Sequence, residues 1–317
     1  MIHSHNHDVL LRSGLKISRL GLGTAAFGGL YSHVSDEDCA STVLRAAELG
    51  ITYIDTAPHY GKGVSELRLG RILKGYDRSK FQISTKIGRL LDPIDYETDE
   101  SFLDADVYKT RIYDYSARGV ERSIKDSLER MQIDQIDIVF IHDPEGNEEA
   151  AIYQAAPALA KLRDKGLIRA YGVGMNICET PTRFIRETDV DIVLIAGRYS
   201  LLDQSAAKEL LPAAHDRGVD VIVAGVFNSG LLANPVSGAT YDYMPASEAL
   251  IERARSINVL AESFGISIRA AATQYPFRNN AVKGVLVGCR NAHEVDQNVE
   301  AFNQVIPEEF WIEVGLG

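Results

Sequence analysis

Much is missing from this chain, and each absence excludes something. Its 317 residues contain only three cysteines, Cys39, Cys178 and Cys289. They are odd in number, far apart and never in a C-x-x-C pair, so a reducing cytoplasm is expected and a disulfide framework is not. No apolar run approaches the roughly 18 residues of a membrane span. No basic stretch followed by an apolar one opens the chain, so no signal peptide is expected. Lys/Arg runs are absent and the formal net charge is -11, which argues against nucleic acid or an anionic membrane as partner. The opening "HSHNH" places His3, His5 and His7 in a polar terminus, and no metal site is read there.

Apolar residues are plentiful, at 45%, enough for a large core. Short apolar runs recur at Leu20–Ala26, Ile51–Asp55, Phe81–Lys86, Ile136–His142, Ala170–Gly174, Val190–Ala196, Val219–Gly225 and Val282–Val287. Helical patterns lie between them: "SDEDCASTVLRAAEL" opens on Ser35 and an acidic first turn, and "SARGVERSIKDSLERM" opens on Ser116. "EAAIYQAAPALAKLRDKG" closes on a basic turn and Gly166. Eight β–α alternations with near-continuous apolar strands predict a parallel sheet covered by helices. A doubly wound sheet would show G-x-G-x-x-G after its first strand. "GLGTAAFGG" carries Gly21 and Gly23 but lacks the third glycine at that spacing. The expectation is therefore one (β/α)8 TIM barrel domain over residues 1–317. The segment Arg89–Asp114, rich in acids and tyrosines, is too long for a plain connection; such loops serve as lids or stay disordered.

Barrel active sites sit at the C-terminal ends of the strands. Three successive strands end in polar residues: Asp55, Lys86 and His142. Taken singly, each has an ordinary explanation: an Asx turn, a snorkelling lysine, a satisfied core histidine. Together they would converge at one mouth, where buried charges need partners. Tyr60, five residues past Asp55, can lean over the same mouth. A phenol with a reference pKa of about 10 is a weak acid and base at neutral pH. A nearby ammonium lowers that value, a carboxylate holds the ammonium, and an imidazole orients a substrate oxygen. The set suits reversible proton transfer at a carbonyl or hydroxyl oxygen, coupled to hydride transfer. It has no nucleophile–base pair. A metal-dependent hydrolase on Asp55, His59, His142 and Asp143 is disfavoured, because Lys86 would repel the ion. A cofactor-sensing binding subunit without turnover is the other rival.

"IDTAPHYGKGVSELRLGRIL", "STKIGR" and "ERSIKDSLERMQIDQIDIVFIHD" resemble the aldo-keto reductase family, and the likeness runs along the whole chain. The resemblance implies a TIM barrel, a nicotinamide cofactor and a catalytic tetrad of Asp55, Tyr60, Lys86 and His142. Ser65 and Glu66 complete a Y-G-x-x-x-S-E pattern, with Glu66 structural. "DTAPHYG", "IHDP", "AGRYSLLDQ" and "GVFNSGLLA" look like the branch that oxidises sugars at C1. The implied reaction converts an aldose hemiacetal, of L-fucose, L-galactose or D-threo type, to a lactone, with anionic Tyr60 as base. His59, Tyr60 and His142 would meet the substrate. Two alternatives stand on the same scaffold: a pyridoxal 4-dehydrogenase, or an NADPH-dependent aldehyde or ketone reductase.

The resemblance also implies where the cofactor lies. Gly23, Thr24 and Asp55 would flank it, and Asn176 would grip the carboxamide. Tyr199 would stack under the nicotinamide. Two departures are visible: a family Ser-Asn pair reads Gly174-Met175-Asn176, and a glutamine after strand six reads Ala196. Phe227, Asn228, Ser229, Gly230 and Leu231 follow strand seven, and barrels hold phosphate after strands seven and eight. Gly288, Arg290, Glu294, Gln297 and Asn298 follow strand eight and open a helix, whose N-terminus suits an anion. The carboxylate of Glu294 favours NAD, whose ribose carries a 2′-hydroxyl there. Arg290 suits the 2′-phosphate of NADP. NAD is expected, with NADP the alternative. The partner is a small sugar or aldehyde.

Overall fold

The computed structural model describes residues 8–98, 101–242 and 244–315. His3, His5 and His7 lie outside them. Eight strands form a closed parallel barrel in chain order. They are β1 (Leu20–Gly23), β2 (Tyr53–Asp55), β3 (Gln82–Ile87), β4 (Ile138–His142), β5 (Ala170–Met175), β6 (Ile192–Ala196), β7 (Asp220–Ala224) and β8 (Val282–Gly288). Pairing of β8 with β1 and of β5 with β6 leaves no free edge among them. This is the expected (β/α)8 barrel, and closure excludes the doubly wound sheet.

Alternation along each strand sorts side chains into two layers. Tyr53, Ile138, Phe140, Ala170, Ile192, Leu194, Ile222 and Leu286 form one buried cluster inside the cylinder. A larger cluster lies between strands and helices. In step with Tyr53 and Phe140, Asp55 and His142 fall on the interior face one layer higher. An N-terminal hairpin, Asp8–Leu10 against Lys16–Ser18, precedes β1. Its Leu11, Leu15 and Ile17 join the interior cluster and close the lower end of the barrel.

The helices follow their sequence signals. Ser35 caps Asp36–Glu48 by accepting from the Asp38 N–H at 3.0 Å, and Ser116 caps Ala117–Met131 by accepting from Gly119 at 3.1 Å. Two expectations change. The first strand stops at Gly23 rather than Ala26, because the Thr24 N–H and hydroxyl both donate to the Asp55 carbonyl and turn the chain into a 3₁₀ turn, Ala25–Gly28. The long segment after β3 is neither a plain loop nor disordered where described. Arg89–Pro93 pairs antiparallel with Lys109–Tyr113.

Gly61 has φ +60°, and its backbone packs directly on Gly28. A Cβ at Gly28 would lie 2.5 Å from the Gly61 nitrogen and 2.7 Å from the Tyr60 carbonyl carbon. We therefore expect Gly28→Ala to destabilise the fold by about 1–3 kcal/mol and to lower turnover by displacing Tyr60. Urea denaturation and a turnover assay check this; a wild-type midpoint and rate would contradict the packing.

Candidate active site

The mouth is assembled from the ends of β2, β3 and β4. Parallel register sets Asp55 beside Gly23 on one side and Ser84 on the other. Lys86, two residues beyond Ser84, points to the same interior. Its ammonium lies 2.6 Å from Asp55 Oδ2, 2.9 Å from the Thr56 carbonyl and 3.1 Å from the Tyr60 oxygen. Asp55 and Lys86 are 3% and 2% exposed, so this ion pair is dry.

Counting donors orients the site. An ammonium has three protons, and Lys86 has three acceptors around it. The Tyr60 oxygen therefore accepts from Lys86, and its own proton is free for a substrate. Asp55 Oδ1 is satisfied by the Ser84 hydroxyl at 2.6 Å.

Local structure explains why these residues meet. After Asp55 the chain turns through Pro58 into a short 3₁₀ segment, Tyr60–Gly63, which swings the phenol over Lys86. Ser65 anchors the following helix by donating to the Thr24 carbonyl at 2.8 Å. Glu66, fully buried, accepts from Thr85 and from Arg130, each at 2.6 Å. Its expected structural role is thus visible as a brace between β3 and two helices. Tyr115 donates to the carbonyl of His142 at 3.2 Å and steadies the end of β4.

Burial governs the proton affinities. Burial would lower the Lys86 pKa, but Asp55 and Tyr60 outweigh it and the net shift is upward. The Tyr60 pKa also rises, because burial and Asp55 exceed the pull of Lys86. The phenol is thus protonated at neutral pH in the cofactor-free protein, against the expectation of a lowered value. The sequence showed the ammonium but not how deeply the oxygen would be buried. His142 lies well below the usual histidine value through burial first, then the charges of Arg89 and Lys86. His59 falls to about 2, again through burial, then Arg89 and Arg111. Both rings are neutral. They meet edge to face at 5.5 Å, and Nδ1 of each finds no partner among the described residues.

Several residues at the mouth carried no signal of their own. Phe102 packs against His59 at 5.4 Å and Tyr60 at 6.0 Å, walling the site from the hairpin side. Asp104 pins that stretch by accepting from Arg68 at 2.8 Å and from Val34 N–H at 3.1 Å. Arg89 pairs with Asp143 at 2.9 Å. Ser84 could have been found: in "FQISTK" it shares the strand face of Lys86.

The residues assigned to a cofactor divide into groups. Gly23 and Gly288 pair side by side at the tops of β1 and β8. A Cβ at either would meet nothing closer than 3.7 Å, so together they leave an open groove. Asn228, Ser229 and Gly230 all have positive φ and curl the loop after β7. Asn228 and Asn298 are buried, and the side-chain oxygen of each lacks a partner among the described residues. Such a groove, bordered by orphaned buried amides, fits an extended polar ligand across β7, β8 and β1. Asn176 stands one residue past β5, at the same end. Arg290 and Glu294 are bound to each other at 2.5 Å, and Gln297 contacts His293 at 3.1 Å. Phe227 is half-buried with the Arg269 guanidinium over its ring.

Three residues sit apart from that groove. Thr24 is fully buried with its hydroxyl engaged by Asp55 and Ser65, and Leu231 belongs to the outer core. Tyr199 differs most from expectation. It is 6% exposed and packs on Tyr275 at 5.0 Å, because a large ring at this turn gains more by sinking between sheet and helices. Among the described residues no three His, Cys, Asp or Glu side chains gather as a metal site requires, and no helix is long and apolar enough to cross a membrane.

A family model for the aldo/keto reductases matches residues 19–314. The chain belongs to the aldo/keto reductase family. It is 38% identical to a D-threo-aldose 1-dehydrogenase from a Pseudomonas species, over 95% of this chain and 94% of that one. It is 37% identical to a pyridoxal 4-dehydrogenase from Microbacterium luteolum, over the same shares. The solved glycerol dehydrogenase of Gluconobacter oxydans superposes with a TM-score of 0.76 at 24% identity, over 98% of this chain and 94% of that one, a likeness of fold. This aldo/keto reductase is accordingly an oxidoreductase of a family that uses nicotinamide cofactors.

Because Asp55 and Lys86 are both dry, Lys86→Met should leave an uncompensated carboxylate and destabilise this reductase by about 3–5 kcal/mol. Adding Asp55→Asn should recover most of that loss, while neither variant turns over. Denaturation midpoints of both test it; equal stability of the two would refute the coupling.

Proposed function

We propose that this enzyme is an NAD(P)-dependent aldose 1-dehydrogenase, one functional unit over residues 1–317, acting in a reducing cytoplasm. Three free thiols suit that compartment. The reading is carried by the Tyr60 phenol, anchored by Lys86 with its proton free, beside two neutral histidines with unpartnered nitrogens. A sugar offers adjacent hydroxyls to such groups. The activities for which the two relatives are named support oxidation at a carbonyl-level carbon.

A bound nicotinamide supplies the acceptor for the hydride that leaves C1. Gly23, Gly288 and the loop around Asn228 would hold it. The C1 hydroxyl gives its proton to the Tyr60 oxygen, which must first be deprotonated, and the product is a lactone. Lys86 stabilises the phenolate, Asp55 holds Lys86, and His142 and His59 orient the substrate oxygens as neutral hydrogen-bonding groups. A second reading has an observation of its own. The raised Tyr60 pKa keeps the phenol protonated at neutral pH, which is the form that gives a proton to the oxygen of an aldehyde or ketone as it is reduced.

NAD is favoured over NADP because Glu294 engages the Arg290 guanidinium that would otherwise receive a 2′-phosphate. Glu294→Gln should tighten NADP relative to NAD by about tenfold in fluorescence titration. An unchanged ratio would refute the assignment.

A panel of L-fucose, L-galactose, D-threo-aldoses, pyridoxal and simple aldehydes with each cofactor tests the substrate. Turnover of an aldose supports the main reading; turnover of aldehydes alone with NADPH overturns it. Tyr60→Phe should lower turnover by at least about 10²-fold with cofactor affinity near wild type. Retained turnover would remove Tyr60 from its role.

A further inference from the structure

The tetrad does not end at Asp55. Behind it, inside the barrel, Ser84 donates to Asp55 Oδ1 at 2.6 Å, and the Tyr53 hydroxyl lies 3.0 Å from Ser84 Oγ. Both are buried, at 0% and 1% exposure. A serine hydroxyl has one proton. Because Ser84 gives it to Asp55, Tyr53 must be the donor in the second bond. The direction of the whole chain follows: Tyr53 to Ser84 to Asp55, with Lys86 donating to Asp55 from the other side.

We propose that Ser84, backed by Tyr53, is a positioning residue for proton transfer: it occupies one Asp55 oxygen, leaves the other for Lys86, and so sets the negative charge felt at Tyr60. A carboxylate with both oxygens engaged is partly neutralised. One that loses the Ser84 donor in a dry interior keeps only Lys86, and more of its negative charge opposes the Tyr60 phenolate. The alternation of β2 and β3 puts Tyr53 below Asp55 and Ser84 below Lys86, and the register sets Asp55 beside Ser84. The pairing therefore needs no distortion of the barrel.

The inference rests on Tyr60 as the proton-transfer residue. Ser84→Ala should make Tyr60 harder to deprotonate. Oxidation needs the phenolate, so its alkaline-rising limb should move up by about half to one pH unit, with a roughly 3- to 10-fold loss of rate below that limb. Reduction needs the phenol, so its plateau should extend to higher pH. A merely loosened structure would lower both directions without that opposed shift. Ser84→Thr, which keeps the hydroxyl, should restore the wild-type profile. Tyr53→Phe should move the limb the same way by less, and it carries the test if Ser84→Ala does not fold. Tyrosinate absorbance of the cofactor-free protein, with each variant compared with and without Tyr60→Phe, reads the same shift without turnover. If Tyr60→Phe remains active, the underlying reading fails. If Tyr60→Phe is inactive while Ser84→Ala and Tyr53→Phe leave the profile unmoved, this inference alone is overturned.

Discussion

Neither Asp55 nor Lys86 could exist alone where it stands. A dry carboxylate and a dry ammonium are tolerated only as a pair, and only when their remaining hydrogen-bonding capacity is met. That requirement organises the mouth. It draws Ser84 to one carboxylate oxygen, and the Thr56 carbonyl and Tyr60 oxygen to the remaining lysine protons. The closed sheet supplies the geometry, since strand neighbours in register bring Asp55 and Ser84 to one level. The Gly28–Gly61 contact then sets the height of the phenol above the pair.

The surroundings are charged, yet the groups that would meet a substrate are neutral. Arg89 is matched by Asp143, Lys86 by Asp55, and both histidines are held unprotonated by burial and nearby cations. A polyhydroxylated or carbonyl ligand would therefore meet hydrogen-bonding groups of definite protonation rather than a field of one sign. The wall on the hairpin side is apolar, from Phe102, so polar contacts and shape come from different segments.

The barrel was legible because its eight strands are short apolar runs at regular spacing, and all eight appear in the expected places. Asp55, Lys86 and His142 were legible because polar residues ending apolar strands violate the pattern around them. Ser84 shares the strand face of Lys86 and is legible as a polar residue on that face, whereas Tyr53 obeys the apolar pattern; the bond between them lies in register, which a single sequence does not display. Phe102 and Arg89 sit in a segment whose composition suggests a lid; Arg89 is placed by hairpin pairing and Phe102 by a bridge to Leu30, contacts that composition does not display. Tyr199 is ambiguous in the sequence because a tyrosine after strand six can face the mouth or the outer core; in the structure its ring packs on Tyr275. The protonation of Tyr60 is not legible, because the neighbouring ammonium is visible in the sequence and the depth of burial is not.

The N-terminal hairpin gives the Tyr53–Ser84–Asp55 chain its character. With Leu11, Leu15 and Ile17 filling the lower end of the cylinder, the chain terminates against hydrocarbon. Among the described residues no polar side chain continues it below Tyr53. It polarises the lysine from behind, while every proton gained or lost by Tyr60 must cross the rim. Proton exchange and ligand exchange thus share a single doorway, and whatever occupies the mouth also gates the acidity of the phenol beneath it.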